Sequence, residues 1–410
     1  METGGAAAPV AAPATAPVAV TVLAPSGGAA AFFPALRAQG VRRLGDLLGL
    51  DVRLLPTATL AGDALPPRAR AADLNAAFGD ASVAVIVCTI GGDDCVRVLP
   101  HLDAALIRAN PKPLLGYSDI TSLHLYLWNL GHVSLYGGAL LCQFAISGPG
   151  MHGYTAESVR AAVLEPEQEL VVKPSEAFQD GYLEWGDEAN LSVAKELEPN
   201  PGWEWVGWES CEATTVEGVL WGGCLEVLTY ALATRKYIPA GESLAEALRG
   251  AVLFVETSNS DNSTAPLQVY SFFQSLGGEY SQAIPSSSNH TLICRDASER
   301  VVSVVELGVL GTAAALLVGR PQTVCRGSTV AGGSEAYKTA QRGAILRAIG
   351  EYCPVDRALP VVFGLDFGHT DPQVLVPSGG VAKLHPQERT LAFSYQPAVR
   401  VPTTPAAPPR

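Results

Sequence analysis

Three residues in one chain order, a serine, a glutamate and a histidine, have the types and settings that acyl transfer needs. Ser118 lies in Leu114-Leu115-Gly116-Tyr117-Ser118-Asp119-Ile120, where a short apolar run meets a glycine. An amphipathic stretch follows, with Ile120, Leu123, Leu127 and Leu130 on one helical face and Gly131 as its stop. The pattern predicts a strand-to-helix turn at Ser118. Such a turn holds a hydroxyl clear of the sheet and leaves the first helical N–H groups unpaired, ready to stabilise an oxyanion. Serine is also a preferred helix N-cap, so these seven residues alone fit either role. Glu256 directly follows Val252-Leu253-Phe254-Val255, and His369 follows the run Leu359 to Phe363 and then Gly364-Leu365-Asp366-Phe367-Gly368. A carboxylate past one strand end could fix an imidazole past another in one tautomer, and that imidazole could take the proton of a serine. A glutamate so placed needs a partner, and a lysine or arginine would serve as well as a histidine.

The elements that must position these residues fall into two sets. In the first 150 residues apolar runs alternate with helical patterns, as in βαβ units. Val18 to Leu23 runs into Pro25-Ser26-Gly27-Gly28, Val83 to Cys88 into Thr89-Ile90-Gly91-Gly92-Asp93, and the Leu114 run into Ser118. In an open parallel sheet the carboxyl ends of strands line the ligand crevice, so these loops should converge. Neither glycine cluster is a dinucleotide fingerprint or a phosphate-binding P-loop. From about Leu164 to Ser210 the chain is acidic and irregular and reads as an interdomain connection. A second domain opens near Val216 with Gly218-Val219-Leu220-Trp221-Gly222-Gly223-Cys224-Leu225 and continues through strand patterns at Ala251 to Val255, Thr312 to Val318 and Leu359 to Phe363. The expected division is a disordered tail at 1–16, an α/β domain at 17–163, the connection at 164–215, a second domain at 216–390 and a Pro-rich tail at 391–410.

Composition narrows the function classes. The 410 residues are 48% hydrophobic and 16% charged, enough for a large core in two domains. A net charge of −13 disfavours nucleic acid or an anionic membrane as a general partner, since no basic stripe offsets phosphate repulsion. No apolar run approaches the roughly 20 residues of a membrane span. The first 16 residues carry neither Lys nor Arg, so they lack the basic segment of a signal peptide. Eight cysteines are scattered without CxxC spacing, which fits reduced thiols in the cytosol and no metal site.

Five segments together carry a resemblance. Arg70-Ala71-Ala72-Asp73-Leu74-Asn75-Ala76-Ala77-Phe78, Thr89-Ile90-Gly91-Gly92-Asp93-Asp94, Gly116-Tyr117-Ser118-Asp119-Ile120-Thr121, Leu253-Phe254-Val255-Glu256-Thr257-Ser258 and Phe363-Gly364-Leu365-Asp366-Phe367-Gly368-His369 resemble, in order, the motifs of the serine LD-carboxypeptidase (muramoyltetrapeptide carboxypeptidase) family. The Ile-Gly-Gly-Asp-Asp and Glu-Thr-Ser forms are closer to its microcin C self-immunity branch. The resemblance spans roughly residues 17 to 385. It implies a flavodoxin-like N-terminal parallel-sheet domain, a C-terminal swivelling β/β/α domain and an active site between them. It further implies Ser118 as nucleophile, His369 as general base and Glu256 as the carboxylate orienting it. The oxyanion hole would come from the backbone N–H of Asp119 and of Gly91 or Gly92. A homodimer is usual, and no metal or organic cofactor is implied.

The chain departs from the family pattern where Cys224 replaces a common Asn, and where an insertion at about 279–311 lengthens the separation of Glu256 from His369. The α/β-hydrolases share the chain order Ser, acid, His, but Ile120 stands where the last glycine of their nucleophile elbow would be, so that fold ranks low. A carboxypeptidase must meet a terminal carboxylate, for which the fork of Arg320 is a candidate, though a structural ion pair is an equal reading. Trp203, Trp205 and Trp208 could stack on an aromatic or nucleobase group, with packing between domains as the alternative. The expected function is hydrolysis of an amide beside a free carboxylate in a small peptide or peptide-like substrate. Alternatives are an amidase for aminoacyl or peptidyl nucleotide conjugates and a noncatalytic binding protein on the same scaffold.

Overall fold

The computed structural model describes residues 19–396 except 63–64, 210, 212, 240–242, 259–265, 277–292, 296–300, 304–306, 326–327, 331 and 355–358. The expected tail at 1–16 and most of the 279–311 insertion lie outside the described residues.

Apolar runs with little charge become strands buried on both faces, as parallel sheets require. The first sheet has six strands, in the order Val376–Ser378, Ser134–Tyr136, Leu114–Gly116, Val83–Cys88, Ala19–Leu23, Asp51–Leu54. All neighbours are parallel except Val376–Ser378, which runs antiparallel to Ser134–Tyr136. The amphipathic segment after Ser118 forms one 3-10 turn and then the helix Thr121–Asn129, with Ile120, Leu123 and Leu127 packed under the sheet against Phe78 and Ile86.

The second sheet has eight strands, in the order Leu170–Val172, Thr390–Ser394, Val381–His385, Val216–Cys224, Val252–Glu256, Ala315–Gly319, Val361–Leu365, Glu204–Val206. Its four central strands from Val216–Cys224 to Val361–Leu365 are parallel, and antiparallel strands extend both edges. Period-two alternation divides its side chains between two cores. Phe254, Leu317 and Val362 join Val20, Val85 and Leu115 of the first sheet in one apolar cluster. Leu253, Val255 and Leu316 face Phe273 of helix Pro266–Leu276 and Ile345 of helix Ser334–Tyr352. The chain is thus an α/β protein with an N-terminal parallel-sheet domain and a C-terminal mixed-sheet domain, joined by a continuous core.

Two expected boundaries move. The acidic stretch at 164–215 is part of the second sheet, since Leu170–Val172 and Glu204–Val206 form its two edges. Edge strands are short and tolerate flanking acids, so composition hides them. The segment from 391 is likewise no tail at its start: Thr390–Ser394 is an interior strand with Leu391 and Phe393 fully buried.

Candidate active site

The three strand-end loops expected to meet do so. Asp119, one residue after Ser118, is buried, and its Oδ2 accepts hydrogen bonds from Ser26 Oγ at 2.5 Å and from the Cys95 N–H at 2.8 Å. Burial raises the Asp119 pKa, against the lowering effect of those two donors. Arg70, also buried, clamps the same loops, with Nη1 and Nη2 on the Asp94 carboxylate at 2.7 and 2.8 Å and Nη1 on Pro25 O at 3.1 Å. A fork on a carboxylate fixes direction as well as distance. The result is that Gly91 stands against Ser118, so closely that a Cβ on Gly91 would lie 3.0 Å from Ser118 Cβ and 3.2 Å from its Oγ.

Ser118 itself has φ +64°, a left-handed conformation that costs a non-glycine residue about 1–2 kcal/mol. Its hydroxyl caps no helix: neither the 3-10 turn nor the helix after it has a side-chain cap. The capping alternative is therefore set aside. The Ser118 N–H donates to Tyr136 Oη at 3.2 Å, whereas none of the backbone hydrogen bonds among the described residues engages the N–H of Gly91, Gly92 or Asp119. The turn is braced from the second domain. Thr121 Oγ1 donates to Ser118 O at 2.7 Å and accepts the Cys224 N–H at 2.9 Å. A Cβ on Gly223 would approach Thr121 Cγ2 to 2.5 Å, so the loop bearing Cys224 packs directly on the serine turn, with Cys224 Sγ turned to Glu226 Oε2 at 3.0 Å.

Glu256 and His369 come together from two strand ends of the second sheet. Glu256 is 1% exposed; its Oε2 lies 2.7 Å from His369 Nδ1, and its Oε1 accepts the Tyr136 hydroxyl at 2.5 Å. The approach depends on Gly368, whose φ is +100° and where a Cβ would fall 2.7 Å from Glu256 Oε2. His369 keeps 14% of its side chain exposed and packs edge-on against the Tyr117 ring at 5.0 Å between centroids. Burial pulls the His369 pKa down, but the charge and hydrogen bond of Glu256, with smaller contributions from Glu226 and Asp371, outweigh it and leave it above 6.5.

The weaker expectations fare differently. Arg320 is buried and committed: Nη2 pairs with Asp366 Oδ1 at 2.6 Å, Nη1 donates to Thr370 Oγ1 at 3.3 Å, and the guanidinium stacks over Phe178 at 4.3 Å. It is a structural ion pair rather than a fork presented to a ligand. Trp203 Nε1 donates to the same Asp366 at 3.0 Å, and Trp205 packs on Trp208 in the core, so the packing alternative holds for all three. Tyr136 was not foreseen. Its signal was available, since a tyrosine inside a buried apolar strand must find its hydroxyl a partner. Also unforeseen is a shallow open cleft lined by Leu36, Leu141, Tyr182, Trp185 and Asn190 among others. Trp185 packs on Phe33 and Tyr182 at 5.6 and 5.8 Å, and Tyr182 Oη lies 3.5 Å from Tyr117 Oη, which links the cleft to the residue before Ser118.

Residues 20–137 match the LD-carboxypeptidase N-terminal domain and residues 297–384 the LD-carboxypeptidase C-terminal domain. The chain belongs to the LD-carboxypeptidase family. It is 30% identical over 197 residues to the Microcin C7 self-immunity protein MccF of Escherichia coli, covering 48% of this chain and 53% of that one. It is 27% identical over 288 residues to a probable murein peptide carboxypeptidase of Bacillus subtilis, covering 68% and 76%. The match thus spans about half the length of MccF and, at 52%, of a putative carboxypeptidase of Vibrio cholerae. Among solved structures, an MccF-like protein from Streptococcus pneumoniae in complex with AMP superposes with a TM-score of 0.71 at 25% identity, over 92% of this chain and 99% of that one. MccF in complex with glutamyl sulfamoyl guanosine superposes with a TM-score of 0.69 at 21% identity, over 94% and 98%, a likeness of fold.

Proposed function

We propose that this chain is a serine hydrolase that cleaves an amide bond beside a free carboxylate through Ser118, Glu256 and His369. The observation carrying the reading is the buried Glu256–His369 pair at 2.7 Å, linked through the Tyr136 hydroxyl to the N–H of a serine held in a left-handed turn against Gly91. His369 Nδ1–H donates to Glu256 Oε2, which leaves Nε2 as the base. Nε2 takes the Ser118 proton as Oγ bonds to the amide carbon, and the carbonyl oxygen becomes an oxyanion facing the N–H groups of Asp119 and of Gly91 or Gly92. Collapse breaks the C–N bond while the imidazolium protonates the leaving amine. Water, activated by the same imidazole, then frees the acyl group from Ser118.

A second reading draws on the cleft lined by Tyr182 and Trp185, since aromatic rings beside the serine turn suit a nucleobase. MccF has been captured with glutamyl sulfamoyl guanosine and with aspartyl sulfamoyl adenosine. On this reading the substrate is an aminoacyl or peptidyl nucleotide conjugate. The test is labelling with a fluorophosphonate probe and location of the adduct by mass spectrometry, followed by turnover of a peptide ending in D-Ala against an aminoacyl sulfamoyl adenosine. An adduct on Ser118 that is absent from His369→Ala supports the hydrolase, and the preferred substrate decides between the readings. Tight binding of either compound by the folded chain, with no adduct and no product, favours a binding protein instead.

A further inference from the structure

We propose that Tyr136 is a positioning residue that ties the Ser118 turn to Glu256 across the domain boundary and sets how strongly His369 holds its proton. The proposal rests on the serine-hydrolase reading. Tyr136 ends a strand of the first sheet, whereas Glu256 ends a strand of the second, and the phenol is the hydrogen-bonded link between them. Its hydroxyl accepts the Ser118 N–H at 3.2 Å and donates to Glu256 Oε1 at 2.5 Å. The directions are fixed by chemistry: a carboxylate only accepts and a backbone N–H only donates, so the single phenolic proton points to Glu256.

Three consequences follow from that one hydroxyl. The Ser118 N–H is withdrawn from any oxyanion hole, which leaves the task to the N–H groups of Asp119 and the Gly91-Gly92 loop. The left-handed Ser118 turn gains a hydrogen bond that a relaxed backbone would have to give up. Glu256 is held at both oxygens, by Tyr136 and by His369, and cannot swing away from the imidazole. The ring cannot drift either, being packed against Phe254 and His124 at 5.4 Å each. Where water is excluded, a donor on one carboxylate oxygen draws charge from the other. Tyr136 therefore moderates the grip of Glu256 on the His369 proton, so that the imidazolium can release it.

The test is the rate of fluorophosphonate labelling of Ser118 in the full chain, followed as a function of pH. Wild-type labelling that Ser118→Ala abolishes upholds the underlying reading; a folded wild type that never labels overturns both that reading and this one. Tyr136→Phe should label about tenfold more slowly, the loss that one hydrogen bond to a charged group represents. Its pH midpoint should move upward, because Glu256 then holds the imidazolium more firmly. In a Glu256→Gln background the same change should move the midpoint little further, since Tyr136 reaches the imidazole only through Glu256. Should Tyr136→Phe fail to fold, a fluorotyrosine placed at 136 keeps the ring and sharpens the donor, and its midpoint should move downward instead. An unchanged rate and midpoint in folded Tyr136→Phe, a fully additive midpoint shift in the Glu256→Gln background, or an unmoved midpoint with fluorotyrosine would each overturn the role.

Discussion

Gly368→Ala offers a severe test of the Glu256–His369 geometry. Two costs are separable. An L-residue in a left-handed backbone costs about 1–2 kcal/mol wherever it sits. At Gly368 the new methyl would also lie 2.7 Å from Glu256 Oε2 and 2.8 Å from its Cβ and Cγ. Glu256 cannot yield freely, because both its oxygens are hydrogen-bonded, so forcing a methyl into that space adds about 1–3 kcal/mol. Gly364→Ala is the internal control: φ there is +77°, but the nearest atom to a new Cβ is Gly202 O at 3.6 Å, so strain alone applies. The assay is urea unfolding followed by tryptophan fluorescence, together with labelling of Ser118. Gly368→Ala should be less stable than Gly364→Ala by about 1–3 kcal/mol. It should also label about a hundredfold more slowly, as a catalytic base displaced by an ångström would. If the two variants unfold together and label alike, the close approach of Gly368 to Glu256 does not position the imidazole.

Other expectations follow from named contacts. Labelling of Ser118 requires neutral His369, so its rate should rise with pH through a midpoint above 6.5; in Glu256→Gln, where burial is left as the main influence, the midpoint should fall below 6.5. The same raised pKa stabilises the fold fully below the unfolded value of about 6.5, and this contribution is lost as pH rises through the folded one, which unfolding midpoints taken across that window would register. Arg320→Met strands the Asp366 carboxylate in the core and should cost about 3–5 kcal/mol, while KM for any substrate found stays at the wild-type value; a raised KM in a stable variant would return Arg320 to the substrate site. Ser118→Ala should abolish turnover and shift stability by less than about 0.5 kcal/mol, because alanine meets the same backbone strain and the hydroxyl caps nothing.

Local signals made the candidate site residues legible. Gly116, Ser118 and the Ile120, Leu123, Leu127 stripe specify a strand, a turn and a helix within one short window, and the structure has all three. Glu256 and His369 were visible because an ionisable group directly after an apolar strand needs a reason to be there. Partners were harder. Arg320 reads as a substrate fork or an ion pair until Asp366 is seen beside it, and Asp366 lies 46 positions further along the chain. Tyr136 is masked by its own strand, where an aromatic residue looks like packing. Leu170–Val172 pairs only with Thr390–Ser394, far along the chain, so nothing nearby in the sequence marks it as sheet, whereas Thr390–Ser394 is the second arm of a hairpin with Val381–His385 and is hidden by its shortness beside the Pro-rich end.

The route of the chain near its end has a consequence for how the protein is made. Val376–Ser378 closes the first sheet beside Ser134–Tyr136, and the next strand, Val381–His385, belongs to the second sheet. During synthesis the N-terminal half therefore emerges with the edge that carries Tyr136 still open, and it stays open until some 240 further residues have been added. The half that carries Ser118 cannot be finished first and kept waiting. Assembly of the serine turn, closure of the sheet edge and delivery of His369 fall together in the last stage of folding. A chain truncated before residue 376 would be expected to expose a sticky edge rather than a smaller working enzyme.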